Sequence, residues 1–339
     1  MKPAIAHALL LLLATAVAAP AAAQEIKLKL SHFAPATHNH HLNVVVPWTE
    51  EIKRRTGGRV EITVFPGASL CKPAQQYECA RSGIADLAWG VTGWTPGRFP
   101  LTSVIELPFM HRTAAVGSQM LADLWDTHLK REYDDVHVLY LQVHPAGHIN
   151  THSKPVRKLE DFKGMKIRTP TATVGDLLEM LGATKVGMPA PQIYESMSQK
   201  VIDGFGMPFE ALPPFRLHEV SKYHTEVGLY TTAFAMFMNT ARYHALPPDV
   251  RTVFAETTSI KHYWRQVGES WDRAEVRFRK VVAEKNEIYV LPREERRRWR
   301  EAVKPLDDTW ASALDARGLP GRALLRETRA LSAKYGEGD

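Results

Sequence analysis

Apolar and polar residues alternate in short segments along the first part of the chain, and helix-like segments separate them. Residues 26–30 and 60–65 alternate as half-buried strands do, and residues 85–89 are typical of a buried strand. The segment 42–55 is predicted to be a helix that ends at Gly57, and a second helix is predicted from Pro73 to about Gly83. Repeated β-α-β units of this kind predict a mostly parallel sheet with helices on its faces.

A second series of such units follows a strand predicted at residues 136–141. It contains strands at 165–168 and 185–188, with a helix between them that ends at Gly182, and a later apolar strand covers 234–238. The length of 339 residues also exceeds that of a typical single core. The pattern therefore predicts two α/β lobes instead of one continuous sheet.

Beyond Pro248 the chain is predicted to be one long helix that ends near Lys285. Apolar residues spaced alternately by four and three form one stripe, which consists of Ile260, Trp264, Val267, Trp271, Ala274, Phe278 and Val281. Such a helix spans about 45 Å or more, which is enough to cross both lobes. Core packing is the favoured interpretation of the stripe, and a coiled-coil seam in a dimer stays open.

The first 23 residues are predicted to be a signal peptide. Lys2 precedes an apolar stretch at 8–14, and Ala21-Ala22-Ala23 forms a cleavage pattern before Gln24. The apolar run is shorter than a membrane anchor requires, and no later run is long enough to span a bilayer. We therefore expect export to the periplasm.

Composition and motifs argue against several classes of function. The formal net charge is +6, but basic and acidic residues are interspersed, which gives little support for nucleic-acid binding. The sequence contains no phosphate-binding loop, no nucleophile elbow and no C-x-x-C pair. We therefore predict neither an enzyme nor a cofactor.

Histidines and cysteines are the remaining candidates for metal or redox chemistry. The cluster of His32, His38, His40 and His41 lacks a nearby carboxylate or thiol to complete a metal site, so no metal is predicted. Cys71 and Cys79 would lie about 12 Å apart within one helix, which is too far for a disulfide. A bridge requires Cys71 to precede the helix, and the bridged and free forms both stay open.

Arg168 stands at the carboxyl end of a predicted strand, two residues before Pro170. Ligands of α/β sheets bind at such edges. A guanidinium there can hold a carboxylate through two parallel hydrogen bonds. A surface salt bridge is the alternative interpretation.

A series of short motifs extends over nearly the whole chain after the leader. The motifs are FPG at 65–67, SGIAD at 82–86, LPF at 107–109, KLEDFKGMKIR at 158–168, LGA at 181–183, MP at 188–189, VIDG at 201–204 and MNT at 238–240. In order and spacing they resemble the extracytoplasmic solute-binding subunits of tripartite ATP-independent periplasmic (TRAP) transporters, the DctP-like family.

The resemblance implies an α/β, bilobal periplasmic-binding-protein architecture, with two lobes joined by hinge strands and a long helix across both. Lobe I would comprise residues 24–145 with about 234–273, and lobe II residues 146–233 with about 274–339. Arg168 matches the carboxylate-binding arginine of the family. The ligand would be enclosed when the lobes close.

The resemblance also points to further ligand-binding residues. His148 stands where sialic-acid-binding members carry a second arginine, and Met207 stands where many members carry asparagine. The aromatic residues Phe33, Trp89, Trp94 and Phe209 fall beside strand ends and loops that face the cleft in this family. They would give flat apolar walls for a ring, although each could equally belong to the core.

The function implied is capture of a small organic carboxylate and its delivery to the small and large TRAP membrane subunits. An aromatic acid, a keto or hydroxy acid and a C4-dicarboxylate all remain candidate ligands. A receptor of the same fold that serves a signalling partner is the alternative. We expect a monomer, with a dimer left open.

Overall fold

The computed structural model describes residues 25–336, which form two β-sheets surrounded by helices. The predicted leader at 1–23 lies outside the described residues. No helix within 25–336 combines the length and the apolar character that crossing a membrane requires. The predicted α/β architecture with two lobes is confirmed.

The strands are numbered in chain order. They are β1 Ile26–His32, β2 Val60–Phe65, β3 Leu87–Val91, β4 Val136–Val143, β5 His148–Thr151, β6 Lys166–Thr169, β7 Thr184–Gly187, β8 Gly204–Met207, β9 Tyr223–Glu226, β10 Ala233–Asn239 and β11 Glu287–Val290.

The α-helices are numbered in the same way. They are α1 Val46–Arg55, α2 Gln76–Ser82, α3 Ala114–Leu124, α4 Ala172–Met180, α5 Ile193–Ser198, α6 Thr240–His244, α7 Pro248–Thr257, α8 Tyr263–Ala283, α9 Arg293–Val303, α10 Pro305–Asp315 and α11 Gly321–Lys334.

The first sheet has the strand order β2-β1-β3-β10-β4. β1 pairs in parallel with β2 and β3, whereas β10 runs antiparallel between β3 and β4. All five strands of this sheet correspond to predicted ones, although β3 begins two residues later than predicted. Their apolar residues are easily recognised because both faces of the sheet are covered by helices.

The second sheet has the order β11-β9-β5-β8-β6-β7, and four of its six strands were not predicted. Gly204 and Gly206 remove the apolar pattern from β8. β5 carries the buried Asn150, whose side-chain amide donates to the carbonyls of Phe205 at 3.2 Å and Met207 at 3.1 Å. The polar side chain in β5 forms its hydrogen bonds with a neighbouring strand, and the glycines of β8 carry no apolar side chain. A search for hydrophobic alternation therefore does not detect these strands.

Two connections between the sheets lie side by side and form the hinge. The first, 144–147, joins β4 to β5, and the second, 227–232, joins β9 to β10. The Gly147 N–H donates to the carbonyl of Tyr230 at 2.7 Å, and the Leu229 N–H donates to the carbonyl of Gly147 at 2.9 Å. Because these hydrogen bonds join the two connections, the hinge forms a short two-stranded ribbon.

The predicted single helix from Pro248 to about Lys285 is wrong, because the chain forms α7 and α8 with a break at 258–262. Thr258 has extended backbone angles, and Ser259 starts a new turn by accepting hydrogen bonds from the N–H groups of Lys261 and Tyr263. The 21 residues of α8 span about 32 Å. Its buried face contains Val267 and Trp271, as the stripe predicted.

Helix α8 contacts both lobes through two carboxylates that are three residues apart. Asp272 accepts hydrogen bonds from the N–H groups of Ala114 at 2.6 Å and Ala115 at 3.0 Å, at the start of α3. Glu275 accepts them from the N–H groups of Phe209 at 3.2 Å and Glu210 at 2.6 Å, just after β8. Negative side chains are favourable at helix N-termini, so each carboxylate fixes one lobe to the helix.

The C-terminal helices contact the segment that connects β3 to α3. Trp310 on α10 donates to the Ser103 hydroxyl at 2.8 Å, and Ser332 on α11 donates to the carbonyl of Met110 at 2.7 Å. The predicted division, in which all of 274–339 belongs to lobe II, stays a prediction. An amphipathic helix shows that it has a buried face, but not which lobe covers that face.

Cys71 and Cys79 form a disulfide with their Cα atoms 6.5 Å apart. Cys71 precedes the helical turn that begins at Pro73, and Cys79 lies in α2. The bridge therefore has the arrangement that the sequence required for it.

We predict that replacing both cysteines, Cys71→Ser with Cys79→Ser, lowers the free energy of unfolding. Closing a loop of eight or nine residues removes unfolded-state entropy worth about 2 to 3 kcal/mol. Urea denaturation of the variant measures this loss, and wild-type protein under reducing conditions should match the variant. Equal stability of oxidised wild type and variant would contradict the prediction.

Candidate ligand-binding site

A cavity lies between the two sheets, next to the hinge. The lining residues are Phe33, His38, Trp89, Val91, Trp94, His144, Arg168, Pro170, Ala190, Met207, Pro208, Glu210, Ala211, Phe215, Tyr230, Thr232, Phe234 and Trp271. Both lobes contribute, so a ligand here contacts both at once.

Arg168 on β6 is a buried cation with only 2% of its surface exposed. Its Nε donates to the carbonyl of Met188 at 2.9 Å, and Nη1 donates to the carbonyl of Gly206 at 3.1 Å. Within residues 25–336 no carboxylate neutralises it, and burial lowers its pKa to about 10. The side chain is therefore positively charged at neutral pH, oriented by two carbonyls and without a counter-ion.

Tyr230, from the hinge, lies beside the guanidinium. Its ring is held between Gly147 and Gly206, where an added Cβ would come within 2.6 Å of the ring or the hydroxyl. The hydroxyl is buried and has no hydrogen-bond partner within residues 25–336. Burial raises the pKa of Tyr230, so this hydroxyl keeps its proton and can donate a hydrogen bond to an anion.

His144 is the third polar group at this end. Its Nδ1 lies 2.5 Å from the carbonyl of Pro145, which can only accept, so Nδ1 carries the proton. Burial, with smaller contributions from nearby groups that include Arg168, lowers the pKa of His144 to about 3. The imidazole is therefore neutral, and Nε2 is a hydrogen-bond acceptor.

Aromatic rings form the wall between the polar groups. Trp89 is nearly parallel to Phe33 and to Phe234, with ring centroids 5.0 Å apart in each pair. Trp94 meets Phe33 edge to face at 4.6 Å. Flat surfaces of this kind favour a planar apolar ligand.

At another part of the cavity, Glu210 and His38 are both buried. His38 Nε2 lies 3.4 Å from Glu210 Oε1. Burial raises the pKa of Glu210 well above its usual range, and it lowers the pKa of His38 to about 3. Both shifts favour the uncharged forms of the two side chains.

Two hydrogen bonds connect the lobes at the edge of the cavity. Trp94 Nε1 donates to the carbonyl of Pro170 at 2.9 Å. The Thr171 hydroxyl donates to Glu106 Oε2 at 2.7 Å. Since each bond joins lobe I to lobe II, both belong to the closed arrangement.

The structure brings most of the predicted ligand-binding residues to one cavity. Arg168, Met207, Phe33, Trp89 and Trp94 line it. Their role in ligand binding stays a prediction.

His148 and Phe209 pack against each other at 4.7 Å, outside the cavity lining. His148 Nε2 donates to Glu275 Oε1 at 3.2 Å, and Nδ1 accepts from the N–H of Gly228 at 3.2 Å. In this arrangement His148 connects the hinge to α8, and both nitrogen atoms are already used.

Tyr230, His144 and Glu210 were not predicted from the sequence. Their sequence neighbours carry no recognisable motif, and their positions depend on the pairing of the hinge segments. His38 was considered only as part of a metal cluster. Within residues 25–336 no three histidine, cysteine or acidic side chains are arranged to hold a metal ion.

Residues 30–313 match the family described as bacterial extracellular solute-binding protein, family 7, named DctP. The chain belongs to this family. The resemblance to TRAP solute-binding proteins that the motifs indicated is thereby confirmed.

Solved structures of family members superpose closely on the chain. A marine-metagenome TRAP solute-binding protein specific for aromatic acid ligands, in complex with 3-hydroxybenzoate, is 36% identical, with 92% of this chain and 99% of that chain covered and a TM-score of 0.89. A TRAP protein from Rhodoferax ferrireducens with copurified benzoate is 34% identical, with the same coverage and TM-score. One from Bordetella bronchiseptica with bound mandelate is 30% identical, with 91% and 99% covered and a TM-score of 0.84.

We predict that Glu106 makes the stability of the protein depend on pH. Burial raises its pKa from 4.5 to about 7, so the folded state binds a proton that the unfolded state releases between these values. The stability that wild type gains from this proton is present below about pH 4.5 and is lost as pH rises through about 7. The loss amounts to about 3 kcal/mol.

The measurement is the difference in free energy of unfolding between wild type and Glu106→Gln at several pH values. Wild type should lose stability relative to the variant between about pH 4.5 and 7. Glu301→Gln, at an exposed position of α9, controls for the loss of one carboxyl group. A difference that does not vary with pH would contradict the prediction.

Proposed function

We propose that this protein is the periplasmic solute-binding subunit of a TRAP transporter and that its ligand is an aromatic monocarboxylate. The observation that carries the proposal is the buried guanidinium of Arg168, which has no counter-ion among residues 25–336 and lines a cavity walled by aromatic rings. Burial of an unpaired charge is costly, and a bound anion removes that cost.

The geometry supports a carboxylate as the anion. A guanidinium has five N–H groups in a planar fork, and two of those of Arg168 already donate to backbone carbonyls. The remaining three include a pair on the two terminal nitrogens that can hold both oxygens of a carboxylate. The free hydroxyl of Tyr230 offers a further donor to the same group.

The lining favours a ligand with one negative charge and an aromatic ring over a ligand with two negative charges. Within residues 25–336, Arg168 is the only arginine or lysine that lines the cavity. A second carboxylate would lie among aromatic rings or beside Glu210, without a cationic partner. The three similar proteins bound to benzoate, 3-hydroxybenzoate or mandelate support the same ligand class.

The protein would capture and release its ligand without changing it chemically. The family is one of solute-binding proteins, and the TRAP neighbours imply membrane subunits that receive the ligand. The interlobe bonds of Trp94 and Thr171 would hold the closed, loaded form until it meets those subunits.

We predict that benzoate and its relatives stabilise the protein and that succinate, a C4-dicarboxylate, does not. A ligand at 100 times its dissociation constant raises the free energy of unfolding by about 2.7 kcal/mol. Thermal melting with an organic-acid panel measures the effect. A larger shift with succinate than with benzoate would contradict the proposed ligand class.

We predict that Arg168→Ala weakens aromatic-acid binding severely. Loss of one partner from a buried charge pair costs about 2 to 5 kcal/mol, because the carboxylate is desolvated without compensation. Arg168→Lys should also fail, since an ammonium group cannot reproduce the planar fork. Calorimetric titration with benzoate measures both losses.

Arg157→Ala is the matched control for this experiment. Arg157 pairs with Glu287 on the surface of lobe II, far from the cavity lining, and its removal changes the net charge by the same amount. The control should bind benzoate like wild type. Unimpaired affinity in Arg168→Ala would refute the assignment of the anion site.

A further inference from the structure

Glu210 is a buried acid for which the proposed anion site has no use. It lies in the helical turn Phe209–Ala211 directly after β8, lines the cavity, and has no exposed surface. Neither carboxyl oxygen has a hydrogen-bond partner within residues 25–336. Native proteins seldom leave buried polar atoms unsatisfied, so the absence of a partner for two oxygens of one group points to a ligand.

Its neighbour His38 defines which oxygen is available. His38 Nδ1 accepts from the N–H of His40 at 3.1 Å, so the ring proton is on Nε2. His38 Nε2 lies 3.4 Å from Glu210 Oε1, which is longer than a normal hydrogen bond. Oε2 has no such neighbour and is free for a ligand.

The surroundings of Glu210 favour its uncharged form. Burial and the nearby carboxylate of Glu275 raise its pKa, while Arg277 opposes them. Burial and the neighbouring histidines keep His38 neutral. A carboxylic acid both donates and accepts hydrogen bonds, and this is also what a hydroxyl group does.

Aromatic rings separate Glu210 from the arginine. The ring centroid of Trp89 lies 6.5 Å from that of His38 and 5.0 Å from that of Phe234. The ring centroid of Phe234 in turn lies 6.1 Å from that of His144, which neighbours Arg168. The cavity therefore has a cationic end and an uncharged acidic end, with a wall of rings between them.

We propose that Glu210, positioned beside His38, binds a hydroxyl group on the aromatic ring of the ligand and makes the protein selective for hydroxylated aromatic acids. This inference rests on the proposed function, since the carboxylate of the ligand must occupy Arg168. With unsubstituted benzoate both oxygens of Glu210 stay unsatisfied. A hydroxyl on the ring would give Glu210 a hydrogen-bond partner.

The position of the hydroxyl on the ring supplies an internal control. In 2-hydroxybenzoate the hydroxyl is adjacent to the carboxylate, so it lies at the arginine end and cannot reach past the ring wall. In 3- or 4-hydroxybenzoate it points away from the carboxylate. Only the latter two should therefore benefit from Glu210.

The test is calorimetric titration of wild type with benzoate and the three hydroxybenzoates. One net hydrogen bond corresponds to about a threefold to tenfold change in dissociation constant. The 3- or 4-isomer should therefore bind several-fold more tightly than benzoate, and the 2-isomer should not. Equal affinity of all four compounds would overturn the inference but not the proposed function, whereas no binding of any would overturn both.

Variants at Glu210 assign the selectivity to this side chain. Glu210→Leu should bring the ratio of benzoate to 3- or 4-hydroxybenzoate dissociation constants close to one. Glu210→Gln should keep part of the ratio, because an amide also donates and accepts. If Glu210→Leu kept the same ratio of dissociation constants as wild type, the inference would be overturned.

Melting temperature and a second buried carboxylate distinguish lost selectivity from a damaged fold. Removing an unsatisfied buried acid should not lower the melting temperature of Glu210→Leu. Glu132→Gln alters a buried carboxylate that accepts from Leu101 and Thr102 outside the cavity, and it should leave the ratio unchanged.

Tighter binding of 4-(aminomethyl)benzoate than of either hydroxy compound would show a cation site at Glu210 and overturn hydroxyl selectivity.

Discussion

The structure depends on one uncompensated charge, the guanidinium of Arg168, buried where two lobes meet. The carbonyls of Met188 and Gly206 orient it but cannot neutralise it. They belong to different segments of lobe II, so the fork is fixed within one lobe before a ligand arrives. Lobe I and the hinge supply the low-dielectric surroundings, in which a carboxylate interacts with a guanidinium more strongly than it does in water. Anion binding and lobe closure are therefore parts of the same electrostatic requirement.

Helix α8 limits how the lobes can approach each other. Asp272 is bound to the start of α3 in lobe I, and Glu275 is bound to the turn after β8 in lobe II. Because the two carboxylates are separated by less than one helical turn, the helix connects the lobes close to the cavity and not at its far ends. The same Glu275 bonds to His148, so the hinge and the helix are coupled at one residue. A motion that opens the cavity must keep these contacts or break several of them together.

The sequence was sufficient for the parts of the fold that follow hydrophobic periodicity. The first sheet and the strand that carries Arg168 were predicted because local patterns determine them, whereas the disulfide was left open. Strands β5 and β8 were not, since Asn150 and the glycines of β8 are explained only by neighbours that are distant in sequence. The break before α8 depends on one serine-capped turn. In the site, Arg168 and the aromatic residues follow from strand ends and family motifs, whereas Tyr230 and Glu210 become meaningful only when the hinge and the second sheet are assembled.

Burial also explains why a cavity with two histidines in its lining carries a single positive charge. His38 and His144 both have pKa values lowered to about 3, so neither contributes a charge at neutral pH. The uncharged form of Glu210 is favoured for the corresponding reason, because burial raises the pKa of a carboxyl group. A monoanion therefore produces a neutral complex, while a dianion would leave one charge desolvated and a neutral ligand would leave Arg168 unpaired. Under the proposed function, selection by charge would precede selection by shape, and the aromatic wall and Glu210 would discriminate only among ligands that already satisfy the arginine.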